Sequence, residues 1–199
     1  GRLVALALGD IYDGTVDIYL PFNDFLSKYF KAVYGDLVNE GFPEELKAGG
    51  LRYPEKYFLY RQYFDWYLHV EDVSTFRSGE DFFRLHTAPE GPITELRYVI
   101  YPEGFVGIYP VGVMGAKGPN IGALYVVNNE FESFGKVQCY RFPIKDSPYL
   151  FFSPSKAKSN ILSLPEIEQY IRLKNPIVGQ IILYKLNGGY WMYVLPFYR

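Results

Sequence analysis

The sequence predicts an α+β fold, a mostly antiparallel β-sheet with a few amphipathic helices packed on it, in one unit over residues 1–199. Three observations predict it. Between residues 96 and 142 four β-rich runs follow one another through short connections marked by Gly, Pro and Asn, whereas parallel crossovers need a dozen residues or more each. Two stretches, 22–33 and 54–68, place apolar residues at helical spacing instead. The chain ends in two apolar arms around Asn187-Gly188-Gly189, a hairpin turn signal.

In chain order, residues 3–20 read as a β-hairpin joined through Asp13-Gly14, which accepts the positive φ angles of a tight turn. The apolar run 3–8 follows a basic residue as a signal core would, but it is too short and Asp10 ends it, so it reads as a strand. Phe22, Phe25, Leu26, Tyr29, Phe30 and Val33 then form the apolar face of a helix, with Asn23 as N-cap and Gly35 at its end. Residues 43–47 give a short helical turn with Pro43 at its first position, broken by Gly49-Gly50. On a helical wheel the 54–68 segment gathers Leu59, Tyr60, Tyr63, Phe64, Trp66, Tyr67 and Leu68 on one arc and Glu55, Arg61, Gln62, Asp65 and His69 on the other. The expectation is that the aromatic arc presses on the sheet, where rings cover area with little loss of rotamer freedom.

Ser78-Gly79-Glu80-Asp81 suggests a second capped turn, with Ser78 capping and Asp81 returning the bond. Strands are expected at 96–101, 105–113, 121–127 and 136–142. Ser163-Leu164-Pro165-Glu166 reads as a capping box opening a helix with Leu164, Ile167, Tyr170 and Ile171 on one side, ended before Pro176. The closing hairpin has arms at 177–186 and 190–197.

Composition narrows the functional classes. With 49% hydrophobic residues in 199, folding hides roughly 70% of the unfolded chain's surface, which rules out intrinsic disorder. A single cysteine excludes a disulfide framework. The net charge of −2 with no basic run beyond two neighbours denies the 20 Tyr, 16 Phe and 2 Trp the basic setting of a nucleic-acid surface, so no nucleic-acid partner is expected. The longest uncharged runs, 104–116 and 186–198, are 13 residues each and broken by Gly and Pro, so no transmembrane segment is expected within the chain. The start at Gly1 without Met suggests a fragment of a larger protein.

The common zinc, redox, hydrolase and P-loop signatures are absent, which lowers the enzyme expectation; no catalytic residue, metal site or cofactor is assigned. Cys139 reads as a small, partly buried hydrophobe in an alternating strand. His69 follows Asp65 by one turn and precedes Asp72 by three residues, so carboxylates are placed to fix its tautomer. The structural alternative is a helix end favoured by a cation. His86 has no carboxylate before Glu90 and is given no role. The glycine-rich loop 112–122, with Lys117 and Asn120, offers freed backbone N–H groups and one cation to an anion, or is a plain flexible connection.

Specific strings then carry a resemblance. Tyr12-Asp13-Gly14-Thr15-Val16, Leu51-Arg52-Tyr53-Pro54-Glu55 before an aromatic helix, and His69-x-x-Asp72 followed by Phe76 and Glu80-Asp81 come in order. Lys117 with Asn120, Tyr140-Arg141-Phe142-Pro143, and Pro165-Glu166-Ile167 with Gly179 follow. The set, from about residue 6 to residue 197, resembles the late part of an uncharacterised family of large prokaryotic membrane proteins, UPF family 0182. Leu68 in place of a Tyr, Phe83 in place of a Trp and the glycine-rich loop depart from the family pattern. The resemblance implies a multi-pass protein of the cell membrane whose late region, this chain, is extracytoplasmic, with its own membrane-embedded region and other protein chains as the expected partners. It carries no established activity.

Three functions are thus weighed. The first is a binding or assembly domain outside the membrane. The second is an extracytoplasmic enzyme acting on envelope material with His69, Asp65 and Asp72 as acid–base groups, an idea that falls if these side chains stand apart. The third is a small-anion sensor using the Lys117 loop.

Overall fold

The computed structural model describes residues 3–47, 50–79, 81–85, 87–88, 91–92, 96–113, 120–143 and 151–199. In chain order they form β1 (Leu6–Gly9), β2 (Val16–Leu20), α1 (Phe25–Tyr34), β3 (Val38–Glu40), α2 (Glu44–Lys47), α3 (Glu55–Leu68), α4 (Val73–Ser78) and β4 (Phe83–Leu85). There follow β5 (Thr87–Ala88), β6 (Gly91–Pro92), β7 (Arg97–Tyr101), β8 (Gly104–Val113), β9 (Ala123–Asn128) and β10 (Val137–Arg141). The chain ends with α5 (Pro154–Leu162), α6 (Pro165–Lys174), β11 (Ile177–Val178), β12 (Ile182–Lys185), β13 (Trp191–Val194) and β14 (Phe197–Tyr198). The fold is α+β, as the sequence predicts.

The central sheet runs β10-β9-β8-β4, with β7 sharing the β4 edge of β8, and all its pairings are antiparallel. It is covered on both faces. Tyr109, Val111 and Val113 of β8 join Ala123, Tyr125 and Val127 of β9 in one cluster with Phe58 of α3, Tyr53 and Phe83. The alternate residues Val106, Ile108, Leu124 and Val126 pack with Val99, Tyr101, Phe142 and Leu183 in a second cluster on the opposite face. Two buried faces explain why β8 and β9 read as continuous apolar runs rather than alternating ones. Each fully buried large side chain here contributes about 1.5–3 kcal/mol. The β12–β13 hairpin closes the second face: Tyr101 donates its hydroxyl to Leu183 O at 2.6 Å, and Trp191 sits edge-on to Tyr101, Tyr140 and Phe142.

A smaller sheet, β1-β2-β3, precedes this one. Its Asp13-Gly14 pair lies in a loop closed by Asp10 N to Thr15 O at 2.8 Å, with Gly14 at φ 77°. β3 returns parallel to β2 after α1, a βαβ crossover that the expectation of hairpins alone missed.

Several local expectations change. The N-cap of α1 is Asp24, whose Oδ1 accepts from Ser27 N at 3.0 Å, not Asn23. Ser78-Gly79 ends a helix instead of starting one: Asp72 caps α4, and Gly79, at φ 71°, terminates it in the left-handed conformation. The Ser163 capping box does not form, because Ser163 closes α5 and donates to Asn160 O at 3.0 Å, leaving α6 to begin on Pro165. Helix α5 itself was not expected, although Ser153 before Pro154 is a good N-cap with proline at the first helical position.

The largest change concerns the helix faces. The apolar arc of α1 points outward, with Phe25 81% exposed, and so does most of the aromatic arc of α3, with Tyr60 70% exposed, although Leu59 and Trp66 of that arc pack on the core. The side of α3 against the sheet is instead Phe58, Gln62 and Trp66 together with Glu55 and Asp65.

Candidate functional site

Helix α3 docks through polar bonds as much as through rings. Glu55 Oε1 accepts from Leu96 N at 2.9 Å, and Asp65 Oδ2 accepts from the Tyr125 hydroxyl at 2.5 Å. Between them Phe58 meets Tyr109 edge-on and Trp66 stacks on the same ring. Burial, and then the bond to Asp65, pushes the Tyr125 hydroxyl well above the usual tyrosine pKa, so it stays a donor. At the end of α3 the His69 ring stacks on Phe83 at 3.8 Å, with Nδ1 2.8 Å from Asp65 O and Nε2 3.1 Å from Asp81 O.

Where the flank of α3 passes the edge strand β10, two cavities open. One, of about 380 Å³, lies between Arg61, Gln62, Asp65 and Leu68 of the helix and Tyr125, Val137 and Cys139 of the sheet. The second, of about 310 Å³, is lined by His69, Glu71, Asp72 and Asp81 with Gly122 and Arg141. Gln62 is 2% exposed and lines the first cavity. Cys139 is exposed as a residue, but burial of its sulfur end beside Tyr125 pushes the thiol pKa up, away from nucleophile behaviour.

The residues singled out from the sequence are only partly brought together. His69 and Asp72 line one cavity, whereas the Asp65 carboxylate turns to Tyr125 in the other. Asp72 is occupied as a helix cap: the Ser74 hydroxyl and Thr75 N–H hold its pKa down at about 2, the opposite of what a general acid needs. Main-chain carbonyls, not carboxylates, orient the His69 ring. The three side chains therefore form no single acid–base group. Asn120 pairs with Phe152 in an isolated β-bridge, and Lys117, Glu80 and His86 lie outside the described residues.

Sequence reasoning missed Gln62, Tyr125 and Arg141 as cavity residues. A signal existed in the regular series Glu55, Phe58, Gln62, Asp65 and His69, one residue per helical turn. Among the described residues no group of His, Cys, Asp and Glu is placed to hold a metal ion, and no helix is long and apolar enough to cross a membrane.

Comparison with known proteins agrees on one family. A UPF0182 protein of Corynebacterium efficiens is 27% identical over 210 residues, covering 96% of this chain and 21% of its own length. One from Caldicellulosiruptor saccharolyticus is 26% identical, covering 95% of this chain and 22% of its own. One from Salinispora tropica is 36% identical over 88 residues, 42% of this chain and 9% of its own. The chain thus spans about a fifth of the length of the first two relatives. No solved structure matches it. The family model of the uncharacterised protein family UPF0182 matches residues 7–174, and the chain belongs to that family.

Proposed function

We propose that this chain is a binding and assembly module of a larger protein anchored in the cell membrane, standing on the extracytoplasmic side and docking the remainder of the same polypeptide. One observation carries the assembly reading. Along the outside of α3 and onto α4 runs an unbroken ladder of rings, Tyr60, Phe64, Tyr63, Tyr67, Phe82 and Phe76, each within 6.2 Å of the next, centroid to centroid. Soluble monomers rarely leave so continuous an aromatic surface in water, and such surfaces mark contacts. The occupant fits the lengths: relatives carry some four-fifths of their chain outside the matched part. The membrane side rests on the family resemblance alone.

Two measurements test the reading. In the full-length protein with Cys139→Ser, a cysteine placed by Tyr12→Cys, at a position 93% exposed, should react with a membrane-impermeant maleimide on intact cells. Reaction only after lysis refutes the location. Combined Tyr60→Ser and Phe64→Ser should weaken co-purification of this chain with the separately expressed remainder without lowering its Tm; no co-purification by the native ladder refutes assembly.

A further inference from the structure

The assembly reading can be sharpened at the edge of the central sheet. Among the described residues β10 pairs only with β9. Asn128 N donates to Lys136 O and Phe142 N donates to Gly122 O, both at 2.9 Å. With the register Gln138 to Val126 and Tyr140 to Leu124, antiparallel alternation sends the main-chain groups of Gln138 and Tyr140 to β9. Those of Val137, Cys139 and Arg141 therefore point away from β9, and no strand among the described residues meets them. The side chains of the same three residues lie on the α3 face, because Val137 and Cys139 stand opposite Val127 and Tyr125.

The two cavities follow one another along β10, Val137 and Cys139 lining the first and Arg141 the second, and the groove they mark runs between this strand edge and the flank of α3 from Arg61 to His69. The buried Gln62 lines its first part. At the far end Glu71, Asp72 and Asp81 outnumber Arg141. Unpaired strand edges beside a helix are where extended chains bind by main-chain hydrogen bonding, with alternate side chains entering the groove.

We propose that an extended segment from the part of the longer polypeptide outside this chain lies in this groove as an added strand on β10, with a hydrogen-bonding side chain at Gln62 and a basic side chain at the Glu71–Asp72–Asp81 end. This rests on the assembly reading and names its second contact. A second copy of this chain suits the groove less well. Antiparallel pairing of β10 with itself about Cys139 sets Arg141 against Val137, away from the acidic end.

Amide hydrogen exchange along β10 of the full-length protein tests the proposal. All five amides from Val137 to Arg141 should be slow there. Glu71→Lys, which reverses the charge at the acidic end, should speed Val137, Cys139 and Arg141 by about tenfold or more and leave Gln138 and Tyr140 unchanged. In the isolated chain the same outer three should be about 100-fold faster than in the full-length protein. Fast exchange at the outer three within the full-length protein overturns strand addition. If hydroxyl-radical footprinting of the same protein still shows Tyr60 and Phe64 shielded, the assembly reading survives, and if the ring ladder is open as well, both fall. Slow exchange at all five in the isolated chain, with a doubled mass by sedimentation, identifies a second copy as the occupant and overturns the proposal.

Discussion

Two aromatic residues of α3, two positions apart, separate the observed docking of this helix from the one its periodicity suggests. Phe58 is 0% exposed and meets the Tyr109 ring over a hydrogen-bonded sheet that has little room to collapse, so Phe58→Ala should cost about 3–5 kcal/mol. Tyr60 is mostly in water and its ring contact is Phe64, an edge-on pair of the kind worth about 0.5–1.5 kcal/mol, so Tyr60→Ala should cost about 1 kcal/mol or less. Removing only the hydroxyl, Tyr125→Phe leaves the Asp65 carboxylate without its donor and should cost about 1.5–3 kcal/mol. Urea unfolding of the isolated chain reads all three. With a slope of about 2 kcal/mol per molar, the midpoint should fall by about 1.5–2.5 M for Phe58→Ala and by at most about 0.5 M for Tyr60→Ala, the slope unchanged. A Tyr60→Ala midpoint as low as that of Phe58→Ala, with Tyr125→Phe neutral, would mean that the aromatic arc faces the sheet and that the reasoning is wrong.

Two further outcomes are expected. Gly122 is held by Gly122 N to Val111 O at 2.8 Å and Phe142 N to Gly122 O at 2.9 Å, and a Cβ there would overlap Val113 Cγ2. Gly122→Ala should therefore cost about 1–3 kcal/mol by overpacking, and Val113→Ala in the same chain should relieve part of it, as a double-mutant cycle in urea would show. Asp72 has a folded pKa of about 2 against an ordinary 3.8, so the stability from its cap is fully present above the ordinary value and is lost as pH falls through the folded one. A carboxyl-carbon NMR titration should place its midpoint near 2 with α4 fraying over the same range; a midpoint near 4 refutes the cap.

The strands were legible because their signals are local. The Gly- and Pro-marked breaks around β7 to β10 and the Asn187-Gly188-Gly189 turn, with both glycines at φ 83°, need no knowledge of what packs on them. Capping residues were legible as residues but not as positions. Ser78 and Ser163 have the chemistry of helix starts, yet each lies at a helix end, since the helices before them, α4 and α5, carry no strong apolar period. The face of α3 was illegible for a different reason. Helical periodicity counts apolar side chains and assumes that they turn inward, but the surface beneath α3 offers the Tyr125 hydroxyl and the Leu96 amide, which are met by the Asp65 and Glu55 carboxylates of the polar arc. The candidate site followed the same pattern: His69 and Asp72 were found, while Gln62 was not, because its place in the cavity depends on which face of α3 meets the sheet.

That choice of face has an energetic consequence. Turning the aromatic arc inward would strand the Tyr125 hydroxyl and the Leu96 amide, each unmade buried bond costing about 1–3 kcal/mol. Keeping it outward leaves Tyr60, Tyr63, Phe64 and Leu68 each with half or more of its surface in water. At about 1.5–3 kcal/mol for full burial of a large apolar side chain, the four forgo on the order of 3–6 kcal/mol in the isolated chain. That is a large part of the ~5–15 kcal/mol by which domains are stable at all. Both demands are met together only if the polar arc binds the sheet and the rings are covered by something else. The α3 sequence is therefore consistent with a helix shaped for two surfaces, one inside this chain and one beyond it, and the same helix flanks the open edge of β10 where an incoming strand would lie.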